Sequence, residues 1–233
     1  ALIRGNLDRG FESHSLRHIL SFAKGGTKRM TPNLNIPKLI EKSALLVIDP
    51  QNDFLLPDAP YGGGPEAREF IENTSLLVDK MRQRGVPIIF TREVHRPDGV
   101  DLGREGDAEP IHCVEGTPGM ELVDELTPKD GDYVIDKRKF SCFFQTDLLG
   151  LLTGLGTELI VLSGGTANCC VLASAIDAYQ YGFHTVTIGD CVFSGTGLLD
   201  PENFKDLYGV YQWFSNPMTL REFIDLLENG RRD

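Results

Sequence analysis

The chain has 233 residues, and its 34 acidic and 23 basic side chains give a formal net charge of −11 at pH 7. Such a surface would repel phosphate backbones and anionic lipid head groups, so we expect neither nucleic acid nor a membrane among its partners. The length and a hydrophobic fraction of 41% suit one folded domain with a substantial core, which excludes collagen-like and wholly disordered classes.

The charge is unevenly distributed along the chain. Residues 1–30 carry a net charge of +4, whereas the remaining residues carry −15. The alternating apolar pattern starts only near Ile40, well after Met30. We therefore predict that residues 1–37 form an N-terminal extension, with Met30 as the natural start, and that the folded domain spans residues 38–233. The alternative is that the basic segment is a transit peptide, since such peptides are rich in Arg and Ser and poor in acidic residues.

Apolar runs typical of buried strands alternate with helical patterns from residue 44 onward. The predicted strands cover residues 44–49, 86–91, 133–136, 158–163, 184–190 and 212–215. One predicted helix ends near residue 85, residues 97–119 form a long loop, and further helices cover residues 148–155, 170–181, 204–211 and 220–227. Repeated strand–helix alternation requires right-handed crossovers. The predicted fold is therefore α/β, with three α/β/α layers around a six-stranded, mostly parallel sheet.

Reactive side chains are predicted to meet at the carboxyl edge of this sheet, where parallel sheets bind their ligands. Asp49 ends the first predicted strand and Lys137 follows the third. Cys170 lies in the turn that follows the fourth strand. A carboxylate, an ammonium and a thiol at one edge are the parts that covalent catalysis by a cysteine requires.

Cys170 is the candidate nucleophile. It opens a predicted helix, and the positive end of the helix dipole favours a thiolate. We expect Asp49 to accept the thiol proton and Lys137 to keep Asp49 ionised, while backbone N–H groups of the turn stabilise an oxyanion. The alternative is that Cys170 is a small buried apolar residue, as most buried cysteines are.

Four segments of the chain, in this order, match one enzyme family: residues 45–54 (LLVIDPQNDF), 113–119 (CVEGTPG), 136–143 (DKRKFSCF) and 164–178. On these segments the chain resembles the isochorismatase-like cysteine hydrolases, which include nicotinamidases, N-carbamoylsarcosine amidases and ureide hydrolases. The likeness spans about residues 43–225. It implies the Rossmann-like fold of those hydrolases.

The resemblance also implies roles for individual residues. Asp49, Lys137 and Cys170 match the catalytic triad of the family. A cis peptide bond is implied between Gly165 and Thr166, and the N–H groups of Thr166 and Cys170 would form the oxyanion hole.

His95 belongs both to the residues expected to line the substrate pocket and to those that could bind a metal. Phe54, His95 and Phe143 are expected to line the substrate pocket. The predicted mechanism requires no cofactor. Nicotinamidases, however, hold a divalent ion at about the positions of Glu93, His95 and His112, and a carboxylate with two imidazoles suits zinc. The alternative is that His95 lines the pocket and no metal is bound there.

The predicted function is hydrolysis of a C–N bond in a small amide or ureido compound, through a cysteine thioester with release of ammonia. Arg96 or Arg104 could bind a substrate carboxylate. Two alternatives stay open: hydrolysis of a vinyl ether, as in isochorismatase itself, and a non-catalytic binding protein with the same fold. The five dispersed cysteines favour a reducing, cytoplasmic location. We also expect a homo-oligomer, either a dimer or a tetramer.

Overall fold

The computed structural model describes residues 34–107, 109–194 and 197–229. The strands are, in chain order, β1 (Ser43–Ile48), β2 (Ile88–Glu93), β3 (Tyr133–Lys137), β4 (Leu159–Gly165), β5 (His184–Phe193) and β6 (Asn216–Met218). The α-helices are α1 (Ile36–Leu39), α2 (Asn52–Leu55), α3 (Pro65–Arg82), α4 (Leu148–Gly154), α5 (Cys170–Gln180), α6 (Lys205–Phe214) and α7 (Leu220–Asn229). The long loop between β2 and β3 contains the short 3-10 turns Glu105–Asp107, Pro118–Met120 and Asp124–Leu126.

The strands form one sheet in the order β3-β2-β1-β4-β5-β6, and every neighbouring pair is parallel. The chain proceeds outward from β1 to β3, then crosses back to β4 and proceeds outward on the other side. The prediction of a six-stranded parallel sheet is confirmed. Strands β1 and β4 flank the point where the order reverses, which is where such sheets form a ligand crevice at their carboxyl edge.

Helices cover both faces of the sheet. On one face, Leu77 of α3 and Phe223 of α7 belong to the same buried core as Val47 of β1. On the other face, Val171 of α5 belongs to a core that includes Leu46 of β1. Successive residues of β1 therefore point into opposite cores, as expected of a strand buried on both faces. The predicted three-layer architecture is confirmed.

The position of the last predicted strand is wrong by several residues. We predicted a strand over residues 212–215 after a helix ending at Tyr211, but α6 continues to Phe214 and β6 starts only at Asn216. The residue before a proline is disfavoured in the helical conformation, so Pro217 keeps the helix from extending through Asn216. The three residues of β6 also lack the apolar run by which the central strands were identified.

Within the described ranges, no helix is both long and apolar enough to cross a bilayer. The predicted extension, residues 1–37, lies mostly outside the described residues, so it stays a prediction, as does the start at Met30. Helix α1 falls at the end of that range, and its Ile36 is buried in the core covered by α3 and α7.

Candidate active site

Asp49, Lys137 and Cys170 lie together at the carboxyl edge of the sheet. Asp49 directly follows β1, Lys137 is the last residue of β3, and Cys170 is the first residue of α5. The Lys137 ammonium lies between the other two groups, with Nζ 2.7 Å from Asp49 Oδ2 and 3.5 Å from Cys170 Sγ. All three residues are buried. The structure thus brings a thiol, a carboxylate and a cation into one cluster.

The backbone at Asp49 is strained and is held by the neighbouring strand. Its φ of +51° lies in the left-handed region, which residues other than glycine rarely adopt. The Asp49 N–H donates to Thr91 O at 3.2 Å, and Thr91 Oγ1 donates to Asp49 Oδ1 at 2.7 Å. These contacts fix the carboxylate so that Oδ2 points to Lys137. Strain of this kind is typical of functional sites.

Strands β1 and β4 approach each other closely at Gly164. Its φ is +114°, and a Cβ added there would lie 2.1 Å from the Ile48 carbonyl oxygen. Glycine alone fits such a position, because it tolerates the dihedral and carries no side chain. The close approach places the turn after β4, and with it Cys170, beside Asp49.

The turn between β4 and α5 presents backbone N–H groups next to the thiol. The peptide bond between Gly165 and Thr166 is cis, at the position that the resemblance implied. Among the hydrogen bonds of the described residues, none uses the N–H of Thr166 or of Cys170 as donor. Two free donors at this turn have the character that an oxyanion hole requires.

Glu93, the last residue of β2, is a second carboxylate in the cluster. Its Oε2 lies 3.6 Å from Lys137 Nζ and 3.8 Å from Cys170 Sγ. Burial acts to raise the pKa of Glu93, but Lys137 and His112 outweigh it and lower the pKa to about 2. Glu93 is therefore ionised at neutral pH, and the Lys137 ammonium is shared between two carboxylates.

Burial governs the proton affinities of the cluster. It raises the pKa of Cys170 well above its ordinary value, with Lys137 opposing the rise and Glu93 and Asp49 adding to it. We expected the helix dipole to favour the thiolate, but desolvation and two nearby carboxylates favour the thiol. Burial also raises the pKa of Asp49, although Lys137 acts against it. The site therefore holds a thiol that needs a base and a carboxylate with increased proton affinity.

Two carboxylates and two imidazoles form a second cluster, which shares Glu93 with the first. Its members are Glu93, His95, Glu105 and His112, and one donor atom of each lies within 4.8 Å of the others. The imidazole-to-carboxylate distances in this cluster are 3.6–3.9 Å, which is too long for hydrogen bonds. The four donors therefore surround a shared space rather than bond to one another.

These donors fit a divalent metal ion. Both ring nitrogens of His95 and Oε1 of Glu93 are buried without a hydrogen-bond partner among the described residues. Buried polar atoms are nearly always satisfied by some partner. Ligands about 2.0–2.1 Å from a tetrahedral zinc lie roughly 3.3 Å apart, which is close to the separations in this cluster. A mixed set of carboxylates and imidazoles also has the chemistry that zinc accepts.

Sequence reasoning missed Glu105 as a member of this cluster. It lies in the 3-10 turn Glu105–Asp107, within the long loop after β2. Burial raises the pKa of Glu105 to about 7, and the neighbouring charge of Glu93 adds to the rise. No spacing rule links a residue of an irregular loop to ligands at a strand end, so the sequence contained no signal for it.

The three residues predicted to line the substrate pocket lie in two separate places. His95 is fully buried within the second cluster. The Phe54 ring packs on His112, with ring centroids 5.4 Å apart, and so borders that cluster. The Phe143 ring packs against Tyr181, with centroids also 5.4 Å apart. Phe54 and His95 thus lie together, whereas Phe143 faces the end of α5.

A cavity of about 680 Å³ opens beside the second cluster. Leu102, Phe140 and Phe144 provide apolar lining, and Glu105 lines both the cavity and the cluster. The cavity therefore adjoins the second cluster. Of the two arginines considered for carboxylate binding, Arg104 is part of this lining, whereas Arg96 is exposed elsewhere.

The chain matches a known protein family and is similar in sequence to a characterised amidohydrolase. The family described as the Isochorismatase domain matches residues 43–221. Maleamate amidohydrolase of Pseudomonas putida KT2440 is 34% identical over 192 residues, which cover 81% of this chain and 88% of that protein.

Solved structures show the same architecture. N-carbamoylsarcosine amidase of Thermoplasma acidophilum aligns with a TM-score of 0.65 at 29% identity, covering 77% of this chain and 96% of its own. Pyrazinamidase of Pyrococcus horikoshii, solved in complex with zinc, aligns with a TM-score of 0.66 at 28% identity, covering 76% of this chain and 99% of its own.

Proposed function

Because the chain belongs to the isochorismatase family of hydrolases, we propose that it cleaves a C–N bond of a small amide or ureido compound with Cys170 as nucleophile. The observation that carries the proposal is the Lys137 ammonium, which lies between the Asp49 carboxylate and the Cys170 thiol. Buried ions are costly to desolvate. A cysteine that merely filled apolar space would have no need of them.

The first step is acylation of Cys170. We assign Asp49 as the group that accepts the Sγ proton. Glu93 Oε2 is also near Sγ, at 3.8 Å, but the lowered pKa of Glu93 makes it the weaker base. Burial raises the pKa of Asp49, which makes the carboxylate a stronger base than an exposed one. As Sγ bonds to the carbonyl carbon, the π electrons move onto the carbonyl oxygen. Lys137 stabilises the thiolate while it forms.

The second part of the reaction releases both products. The N–H groups of Thr166 and Cys170 bind the oxyanion. When the tetrahedral intermediate collapses, the C–N bond breaks and Asp49 returns its proton to the leaving nitrogen, which departs as ammonia. Asp49 then takes a proton from water, whose oxygen attacks the thioester. The C–S bond then breaks, the acid departs (a carbamate in the case of a ureido compound), and Asp49 returns its proton to Sγ, which restores the thiol.

Comparison of Cys170→Ala with Cys169→Ala tests this proposal. The two cysteines are adjacent, but Cys169 is only half-buried and lies outside the triad. Across a panel of small amides and ureido compounds, we expect Cys170→Ala to lower ammonia release by at least about 10³-fold and Cys169→Ala to retain most of it. Mass spectrometry of quenched wild-type reactions should find the acyl group on Cys170.

Two outcomes contradict the proposal. One is full turnover by Cys170→Ala, and the other is a wild-type protein that releases ammonia from no compound of the panel. Adding a vinyl ether to the panel separates the alternatives. Ether hydrolysis that survives Cys170→Ala favours the isochorismatase-type reaction, which needs no thiol.

We also propose that Glu93, His95, Glu105 and His112 hold a divalent cation. The unpartnered donor atoms of Glu93 and His95 support this, as does the zinc in the pyrazinamidase neighbour. When bound, such a cation supplies a positive centre beside the cavity that can take a donor atom of the substrate. Glu93 would then orient Lys137 with one carboxylate oxygen and face the cation with the other.

Metal analysis of the purified protein tests the cation site. We expect the wild type to hold one ion per chain and His112→Ala to hold none. The matched control is His184→Ala, because His184 is exposed at the start of β5, away from the cluster. Dialysis against a chelator should lower the thermal midpoint of the wild type and of His184→Ala only. A wild type that holds no metal, and takes up neither zinc nor manganese on titration, contradicts the proposal.

A further inference from the structure

The ladder of backbone hydrogen bonds between β1 and β2 stops two residues before β2 ends. Its last bond joins the Asp49 N–H to Thr91 O at 3.2 Å. In a regular parallel ladder, the next two bonds would join Glu93 N–H to Asp49 O and Gln51 N–H to Glu93 O. Asp49 O instead accepts the Gln51 N–H at 2.8 Å, because the left-handed backbone at Asp49 turns the chain away from β2. The backbone that follows β1 therefore provides neither bond to Glu93.

The side chain of Gln51 provides the two bonds that the backbone does not. Its Oε1 accepts the Glu93 N–H at 2.7 Å, and its Nε2 donates to Glu93 O at 2.8 Å. Nε2 also donates to Met120 O at 2.8 Å, so both protons of the amide are used. Gln51 is completely buried, and water does not compete for these groups. The carboxamide thus extends the ladder to the last residue of β2.

The position of the Glu93 carboxylate depends on how the end of β2 is held. Its Oε2 lies 3.6 Å from Lys137 Nζ and 3.8 Å from Cys170 Sγ, and its Oε1 has no hydrogen-bond partner among the described residues. On the side of β3, Val94 N–H donates to Lys137 O at 2.9 Å. On the side of β1, the carboxamide of Gln51 holds the backbone. Because no short bond fixes the carboxylate itself, its place follows that of the Glu93 backbone.

We propose that Gln51 is a positioning residue for the reaction, whose carboxamide fixes the end of β2 and so holds the Glu93 carboxylate between Lys137 and the second cluster. The inference rests on the proposed hydrolysis and on the proposed cation site. Asp49 needs its left-handed backbone to point Oδ2 at Lys137, and the same turn withdraws the backbone of β1 from Glu93. Gln51 therefore allows both carboxylates to reach one ammonium.

Gln51 could instead serve only to tie the loop at Met120 to the sheet. The next residue offers a matched control, because the half-buried Asn52 also uses its side-chain amide on this loop, donating to Pro118 O at 2.9 Å. A double-mutant cycle with Glu93 separates the two roles. If Gln51 acts through Glu93, its removal has no further effect once the carboxylate is gone, whereas effects on separate sites combine.

The experiment compares wild type, Gln51→Met, Asn52→Leu, Glu93→Gln and the double variant Gln51→Met/Glu93→Gln. Zinc affinity is measured on metal-free protein by competition with a chelating dye, and kcat and KM are measured with zinc in excess. We expect Gln51→Met to lower zinc affinity by about 10- to 100-fold and kcat by about tenfold, with KM within about twofold, because Lys137 acts only after the substrate has bound. Asn52→Leu should match the wild type within about twofold. Adding Gln51→Met to Glu93→Gln should change neither zinc affinity nor kcat by more than about twofold.

Two results overturn the inference and assign Gln51 to loop support. One is a pair of losses that multiply in the double variant, and the other is a Gln51→Met protein with a lower thermal midpoint but unchanged kcat and zinc affinity. A wild type that binds no zinc refutes the cation site, and the cycle in kcat still tests Gln51. A wild type that releases no ammonia refutes the proposed hydrolysis, and the cycle in zinc affinity still tests Gln51; absence of both overturns the inference.

A second variant covers the case in which Gln51→Met does not fold. Gln51→Glu has the same length and keeps an acceptor for the Glu93 N–H, but a carboxyl group cannot donate to both Glu93 O and Met120 O. We expect it to lower kcat in the wild-type background and to leave kcat unchanged in Glu93→Gln. Equal losses in both backgrounds would contradict the inference.

Discussion

Among the individual residues, Lys137 couples the stability of the fold to the chemistry of the site. Two buried carboxylates, Asp49 and Glu93, lie 2.7 and 3.6 Å from its ammonium. Removing one partner from a buried ion pair is strongly destabilising, because the remaining charge stays desolvated without compensation. Lys137 faces two such charges, so its removal should affect folding as well as turnover.

We expect Lys137→Met to lower the free energy of unfolding by about 3–5 kcal/mol and to abolish ammonia release. The matched control is Lys80→Met. Lys80 is partly exposed and pairs with Glu228 at 3.0 Å on the surface, where such a pair contributes less than about 1 kcal/mol. Urea denaturation of both variants gives the comparison. Equal losses in the free energy of unfolding would show that the buried ion pairs of Lys137 contribute no more stability than a surface pair.

The meeting of Asp49, Lys137 and Cys170 was predictable from the sequence, because each adjoins a strand whose apolar run can be identified. The place of Glu105 was not, since it depends on the path of an irregular loop. The sequence also suggested a thiolate at Cys170, whereas burial raises the pKa of that thiol. Desolvation is a property of the packed molecule and is not encoded in the local segment.

Among the structural elements, the carboxyl ends of β1 and β4 must approach closely for the site to form. Gly164 permits the approach, since a Cβ there would lie 2.1 Å from Ile48 O. We expect Gly164→Ala to lower the free energy of unfolding by about 3 kcal/mol or more and to reduce turnover. Gly150→Ala is the control, because a Cβ at Gly150 in α4 meets nothing within 4 Å. That change should stabilise the protein by about 0.5–1 kcal/mol.

Thermal and urea unfolding of the two glycine variants measure both effects. If Gly164→Ala were as stable as the wild type, the strands would have room that the structure does not show. Such a result would also mean that the close approach at Gly164 is not what positions Cys170 beside Asp49.

Helix α6 supports the turn that contains the proposed oxyanion hole. The Tyr211 hydroxyl donates to Ala167 O at 2.6 Å, and both residues are buried. Tyr211→Phe removes this hydrogen bond and leaves the ring in place. We expect a stability loss of about 1–3 kcal/mol and a kcat about tenfold lower with little change in KM, because the oxyanion forms only after the substrate has bound.

Tyr208→Phe is the matched control for this prediction. Tyr208 lies on the same helix and donates to Pro217 O at 3.1 Å, away from the turn. The Tyr208→Phe variant should therefore be somewhat less stable than the wild type but have the same kcat. Alkylation of Cys170 by iodoacetamide forms no oxyanion, so its rate should be the same in Tyr211→Phe as in the wild type. Slower alkylation would mean that the thiol itself had moved.

The elements of the fold differed in how well the sequence predicted them. Strands β1 and β4 were clear, because strands buried on both faces are continuous apolar runs. The edge strand β6 was misplaced, since its three residues include Pro217 and lack such a run. The boundary of α6 depends on that proline and on packing against the sheet, and a periodic pattern alone places helix ends poorly.

For the molecule as a whole, charge divides the chain into a segment of +4 over residues 1–30 and a remainder of −15. Opposite charges attract at low ionic strength, and this attraction is screened beyond about 10 Å at 0.1 M salt. The described residues nevertheless bury both faces of the sheet beneath their own helices. We therefore expect residues 1–29 to contribute little to the stability of the domain.

A chain that starts at Met30 should have a thermal midpoint within about 2 °C of that of the full chain and should release ammonia at the same rate. Measuring both chains at about 20 mM and about 500 mM salt makes the comparison diagnostic. If the basic segment binds the acidic domain electrostatically, truncation lowers the thermal midpoint at low salt only. If the segment packs into an apolar core, truncation lowers it at both concentrations. Either loss contradicts the prediction, and equal midpoints at both salts support a domain whose stability does not depend on residues 1–29.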